Sequence, residues 1–405
     1  VDFLKLRASF GNQSLDVLPG SNVWTYYDQF YLMNGTSYPF DATYTGTQWG
    51  NTYLSTARTQ SLGHERSTKF NVGIDATLFG SLNVSLDYFY QHRYDIWCST
   101  AGSYNSVFGL GAPYENVGVV NSQGFEISAD YSKKINSDLT INVGASFTFN
   151  KNTIKEQAEA PQLYANTAST GHCYGQAFGY VADGFFQKSD DLNGDGIISA
   201  AEMQQNGYPV QSFTTVYPGD VKYLDLTGEN IIDANDRKAI GYSTTAPDIY
   251  YNFHLGAEYK GIGLDAMFQG VGRWTGFMTT NGLYRSAVAT NTLSQYLYEN
   301  SWSAERGNTE SALFPRLSTT SNANNDLNST LNMFDRSYIK LRYVELYYHL
   351  PKSLLNKLSV INNIKLYVRG TDLFTADHLD KADAASYGVA QPLTRSVQLG
   401  AALTF

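Results

Sequence analysis

Alternation with a period of two, repeated in segment after segment, is the feature that most limits what this chain can become. In the last stretch, 395–405, Val397, Leu399, Ala401, Leu403 and Phe405 are apolar, while Ser396, Gln398, Gly400, Ala402 and Thr404 between them are small or polar. Nine further segments carry the same signal. The clearest set Phe125, Ile127, Ala129 and Tyr131 against Glu126, Ser128 and Asp130, and Leu139, Ile141, Val143, Ala145, Phe147 and Phe149 against Thr140, Asn142, Ser146 and Thr148. The others lie at 4–10, 70–78, 82–90, 249–259, 262–268, 338–350 and 364–368. In 338–350 the apolar face changes side near Tyr343 and Val344, which predicts a β-bulge.

The connections between these segments sort by length. Short ones at 80–81, 136–138, 261 and 352–362 alternate with long ones at 12–66, 97–122, 152–247, 276–335 and 375–394. A transmembrane barrel has this asymmetry, with short periplasmic turns, long extracellular loops, an apolar face toward lipid and a polar face toward a wet lumen. The order puts the C-terminus on the periplasmic side. A soluble sandwich or propeller has no reason to segregate its loops in this way. The expected fold is therefore all-β, an antiparallel up-and-down transmembrane barrel with long extracellular loops. Ten strands can close alone or continue into others, and an even count does not decide between them.

Composition agrees. Hydrophobic residues make up 42% of 405, mean hydropathy is −0.31, and no run approaches the roughly 18 apolar residues of a membrane helix. A net charge of −9 without a basic stripe argues against a nucleic-acid partner. Val1 is preceded by no initiator Met or apolar leader, so any signal peptide is expected to have been removed or to lie upstream. The two cysteines, Cys98 and Cys173, both fall in expected outward loops, where pairing and two isolated thiols are alternative readings.

Several stretches, in their order, resemble SusC/RagA-type TonB-dependent transporters of Bacteroidota. They are 65–75 (ERSTKFNVGID), 82–90 (LNVSLDYFY), 116–126 (NVGVVNSQGFE), 218–241 (PGDVKYLDLTGENIIDANDRKAIG), 314–317 (FPRL), 337–351 (SYIKLRYVELYYHLP) and 367–375 (YVRGTDLFT). The resemblance runs along essentially all of residues 1–405 and implies the last ten strands of a 22-stranded barrel, with the plug domain, the TonB-interacting segment and the earlier strands outside this chain. It also implies residence in the outer-membrane lipid and import of an oligosaccharide, or in some members a peptide, driven by the TonB complex. A SusD-like surface lipoprotein would lid the extracellular mouth, and the long loops would supply part of its interface. No enzymatic role is expected: the six histidines are scattered, and neither G-x-S-x-G nor H-E-x-x-H occurs. Two rivals remain at this point, a self-closed ten-stranded barrel acting as a surface protease or adhesin, and a soluble secreted calcium-binding β-protein.

The sharpest local motif is DLNGDGIISAAE at 191–202, which fits the calcium-loop pattern D-x-[DN]-x-[DN]-G-x5-E at every defined place. Asp191, Asn193 and Asp195 offer side-chain oxygens, Ile197 its carbonyl, Ser199 a direct or water-mediated contact and Glu202 a bidentate carboxylate. Gly196 permits the sharp turn. A bound Ca2+ there would be structural. A degenerate second copy at Asp225, Thr227, Glu229, Asp233 and Asp236 has Asn230 in place of the glycine and reads more simply as an acidic turn. Trp24 and Trp49, in outward loops, are the candidate substrate-stacking residues; Trp302, just before FPRL, is expected to pack, and Trp97 and Trp274 to join an interfacial girdle. Asp75, Asp87, Glu126, Asp130, Glu258 and Asp265 are expected to give the lumen face its polarity.

Overall fold

The computed structural model describes residues 1–16, 27, 29–39, 48–59, 62–105, 107, 109–279, 284–285, 293–355, 361–379 and 393–405, with the backbone alone for 29–39 and 48–55. Ten strands form one sheet: β1 (Phe3–Leu15), β2 (Glu65–Leu78), β3 (Leu82–Ser99), β4 (Tyr114–Lys134), β5 (Leu139–Glu156), β6 (Ile249–Tyr259), β7 (Ile262–Gly272), β8 (Tyr338–His349), β9 (Asn363–Asp377) and β10 (Ser396–Thr404). Each is antiparallel to the strand before and after it in the chain. All ten segments with period-two patterning are strands of this sheet. Among the described strands β1 and β10 are its two edges, so the sheet does not close on itself.

The register confirms which face is which. Opposite Leu255 stand Val143 on β5 and Ala266 on β7, and opposite Leu346 stand Leu264 and Val368. These rows form a continuous apolar outer surface, and its members at the edges, Leu6 and Leu399, are 75% and 82% exposed. Water would penalise such a surface, whereas lipid tails solvate it. Among the described residues no helix is long and apolar enough to cross a membrane.

Strand ends differ from expectation on the outward side. β1 reaches Leu15, because Asn12, Gln13 and Ser14 stay in register with Thr68, Ser67 and Arg66. The expected loop at 97–122 shrinks to 100–113: past an irregularity between Arg93 and Ile96, where Asp95 takes φ +54°, the ladder to β4 resumes up to Ser99 and Tyr114. Polar ladders can rise beyond the membrane, where hydropathy no longer marks them. The bulge expected in 338–350 is present, with Leu341 and Tyr343 paired to Phe268 and Met267 and Arg342 left between them.

The cores of clustered buried side chains lie in the long loops, beyond the outward ends of the strands. Tyr180, Phe185, Val221, Tyr223, Ile232 and Trp302 form one, Phe186, Ile198, Met203 and Val216 a second, and Tyr284, Leu297, Phe314, Phe334 and Leu379 a third. The loops between β5 and β6 and between β7 and β8 thus fold against each other as a layer.

Candidate functional site

The inner wall of the sheet is polar and internally paired. Arg7 of β1 reaches two neighbouring strands: Nε donates to Asp75 Oδ2 at 2.7 Å and Nη2 to Asp75 Oδ1 at 2.8 Å, while Nη1 and Nη2 reach Asp87 at 2.9 and 2.7 Å. Gly73, across the ladder from Arg7, leaves the space for that guanidinium to lie flat. On the far side of the sheet Glu345, 2% exposed, accepts from Lys365 Nζ at 2.5 Å and from Arg369 Nε and Nη2 at 2.7 and 2.6 Å. Between them Glu258 meets the Tyr347 hydroxyl at 3.2 Å, and Tyr347 lies over Gly263. Of the acids expected on this face, Asp75, Asp87 and Glu258 therefore take part in specific pairs. Their basic partners, Arg7 above all, went unassigned, although Lys5 and Arg7 occupy the polar positions of their segment.

The motif at 191–202 folds as one closed turn on the second loop core. The Asp191 carboxylate accepts the N–H groups of Gly194 at 2.7 Å and Gly196 at 2.8 Å, and Asn193 and Asp195 accept those of Asp195 and Ile197, both at 2.8 Å. Gly196 adopts φ +85°. Ser199 caps the helix Ala200–Gln205, whose Glu202 accepts the Ser199 N–H at 2.8 Å and, from the start of the turn, that of Leu192 at 2.9 Å. The Ser199 N–H and hydroxyl hold the Glu202 carboxyl below the usual carboxylate range, so it is ionised at neutral pH. Ile198 and Met203, both buried, fix the turn from beneath. Among the described residues no three His, Cys, Asp or Glu side chains are grouped to hold a metal ion. In this conformation the loop's carboxylates turn to its own amides.

The degenerate copy folds the same way. Asp225 accepts from Gly228 at 2.7 Å and Asn230 at 2.6 Å, and Asp236 from Leu226 at 2.8 Å and Asp233 at 2.9 Å. Asn230 takes φ +59° where the first copy has its glycine. Asparagine tolerates this region better than most residues.

Between the two excursions lies a polar knot that the sequence reading missed. Asp220, fully buried, accepts from Arg316 Nε at 2.7 Å, Asn325 Nδ2 at 2.9 Å, Asn322 Nδ2 at 3.1 Å and the Tyr217 N–H at 2.9 Å. Two of the quoted motifs, at 218–241 and 314–317, meet here. Trp302, expected to pack, is buried in the first loop core. Trp97 stacks on Tyr114 with centroids 5.8 Å apart, and Trp274 lies under the Arg336 guanidinium at 3.6 Å. Trp24 falls outside the described residues, and Trp49 is placed by its backbone alone, in the strand Gln48–Thr56 opposite Tyr38. Cys98 and Cys173 are both free thiols, and Cys173 donates to Gln176.

No family model matches the chain. Two proteins of Formosa agariphila are similar in sequence: TonB-dependent receptor P3, 25% identical over 80% of this chain and 31% of its own length, and TonB-dependent receptor P39, 24% identical over 92% and 36%. The chain spans about a third of the length of these curated relatives. Among solved structures, the RagAB peptide importer matches in its open-open state with a TM-score of 0.70 at 20% identity, over 99% of this chain and 40% of that one. Its closed-closed state gives 0.67 at 20% identity, over 99% and 41%. The names are those of receptors and importers, not of enzymes. Sequence similarity to TonB-dependent receptors along most of the chain, together with a meander whose apolar face turns outward, marks the protein as an outer-membrane β-barrel protein that resembles those receptors.

Proposed function

We propose that this chain is the C-terminal barrel portion of a TonB-dependent importer that carries an oligosaccharide across the outer membrane together with a SusD-like surface lipoprotein. The observation that carries the reading is the sheet itself: ten strands with a lipid-compatible outer face, a polar inner wall and, among the described residues, two edges without a partner strand. In a bilayer such edges need further strands, which argues for a larger barrel and against a self-closed one. The hydroxyls, amides and tyrosine rings of the inner wall suit a polar oligomer. A second reading, a peptide substrate, is favoured by the fold shared with the RagAB peptide importer.

The 191–202 loop is proposed to take up Ca2+. Asp191, Asn193, Asp195, Ser199 and Glu202 bring hard oxygen donors into one turn, with the Ile197 carbonyl as the backbone ligand, and bound Ca2+ would supply structural cross-linking of the loop.

Uptake of fluorescently labelled oligosaccharides and peptides by cells with and without the gene, and with and without TonB, tests the importer. Gene- and TonB-dependent entry of a glycan supports the first reading, and entry of peptides alone the second. A protein extracted from native membranes as a 44.9 kDa species with no partner would overturn both.

A further inference from the structure

We infer that the inner wall carries a carboxylate-binding subsite built around Arg342 and Arg369. This rests on the importer reading and narrows its substrate to one bearing acidic groups.

A cavity of about 410 Å³ opens on the inner face, lined by Met267 and Gln269 of β7, Arg342 and Tyr343 of β8, and Arg369 and Thr371 of β9. Strict alternation would send Arg342 and Tyr343 to opposite faces of the sheet. The irregularity at this point brings both to the same cavity. Against β7, Arg342 is the extra residue between Leu341 and Tyr343. Against β9, Leu341 pairs with Phe374 and Tyr343 with Thr371, so Asp372 and Leu373 face the single residue Arg342. Asp372 adopts φ +52°, in the left-handed region that few residues other than glycine, Asn and Asp occupy. Its carboxylate holds Arg342 Nη1 at 2.8 Å and so fixes the guanidinium in position. Bulges and left-handed residues that re-aim a side chain concentrate where a protein binds something.

The two arginines are not consumed by their partners. The guanidinium of Arg342 gives a single N–H to Asp372, and its side chain is 39% exposed. Arg369 uses Nε and Nη2 on Glu345, is 43% exposed and lies 5.6 Å over the Tyr343 ring. Glu345 is shared with Lys365, so β8 and β9 present Lys340, Arg342, Lys365 and Arg369 against Glu345 and Asp372, with Asp265 of β7 opposite Glu345. The cavity lining itself holds two cations and no anion. The remaining N–H groups of two guanidiniums, beside an amide, a hydroxyl and an aromatic ring, match a carboxylate on a sugar ring or on a peptide.

The test uses the full-length protein in detergent and four probes: trigalacturonate, neutral maltotriose, triglutamate and trialanine, with affinities measured by calorimetry. The expected result is binding of a carboxylate probe that weakens at least about tenfold in Arg342→Gln, while any neutral probe that binds keeps its affinity. Trigalacturonate or triglutamate as the tighter ligand separates an acidic glycan from an acidic peptide. Asp372→Asn, which releases the arginine from its partner, is expected to tighten carboxylate binding, and it supplies a readout if Arg342→Gln fails to fold. Failure of both carboxylate probes to bind wild type, or equal affinity in wild type and variants, overturns the subsite. In that case gene-dependent uptake of a neutral oligomer leaves the importer standing, and absence of all uptake removes that reading as well.

Discussion

Replacing Arg316 by Ala should loosen the extracellular layer without disturbing the barrel. Arg316 supplies the cation to a carboxylate, Asp220, that is wholly buried. Stranding a buried charge costs about 3–5 kcal/mol, but Asp220 keeps three neutral donors, Asn322, Asn325 and the Tyr217 N–H. A single charge-assisted hydrogen bond contributes about 1.5–3 kcal/mol, and the 24% exposure of Arg316 places it toward the lower end. Loss of the guanidinium from above the Tyr217 ring, 4.4 Å from its centroid, adds about 0.5 kcal/mol. The sum is about 2–2.5 kcal/mol, or roughly 30- to 70-fold faster local opening. Native-state hydrogen exchange reads it directly at the amides of Phe186, Gly219 and Arg316, which bond to Asp220, Phe186 and Gly219 carbonyls across the knot. Leu255 and its neighbours in β6 serve as the internal control. Acceleration below about threefold at the knot, or equal acceleration in β6, would refute the argument that Asp220 holds the two loops together.

Three other outcomes are expected. Burial would raise the Glu159 carboxyl, but hydrogen bonds from the Ser169 and Thr170 amides and hydroxyls outweigh it and hold it at about 2, against an ordinary value of 4.5. Because the folded value is depressed, the stabilisation is complete above pH 4.5 and drains away as pH falls to about 2; the protection of the Ser169 and Thr170 amides, relative to their intrinsic exchange rates, should fall over that window in wild type but not in Glu159→Gln. Leu255→Arg, on the lipid face near mid-strand, should cost about 2–4 kcal/mol in urea titrations of protein folded into bilayers, and an unchanged midpoint would contradict the assigned face. If the 191–202 loop binds Ca2+, EDTA should speed proteolysis around it and Glu202→Gln should reproduce that effect with no further response to chelator; identical cleavage with and without EDTA removes the metal.

Strand identity was legible because the lipid face demands apolar residues at every second position, as in Leu139–Glu156. The same rule made the change of face in Tyr338–His349 visible as a bulge. What it did not reveal was which residue the bulge would turn inward. That depends on the register to β9 and on Asp372, a long way off in sequence. The polar ends of β1 and β3 were likewise misjudged as loop, because hydrogen bonding continues where the hydrophobic constraint stops. In the loops, the metal motif announced itself by residue spacing, whereas the Asp220 knot joins residues 96 to 105 positions apart and has no local signature. Its parts were noticed as separate motifs, PGD and FPRL, without the contact that gives them a common purpose.

The strand order has a kinetic meaning. Since every barrel strand is bonded to the strands on either side of it in the chain, no pairing between β1 and β10 has to wait for a crossover from elsewhere in the sheet. The tight turns at Phe79–Ser81 and Lys260–Gly261 bring their partners together with little loss of chain entropy. The long excursions after β5 and β7 share cores built outside the sheet and can collapse independently of the lipid. Such a sheet can grow one hairpin at a time along an open edge, with the outward layer setting last.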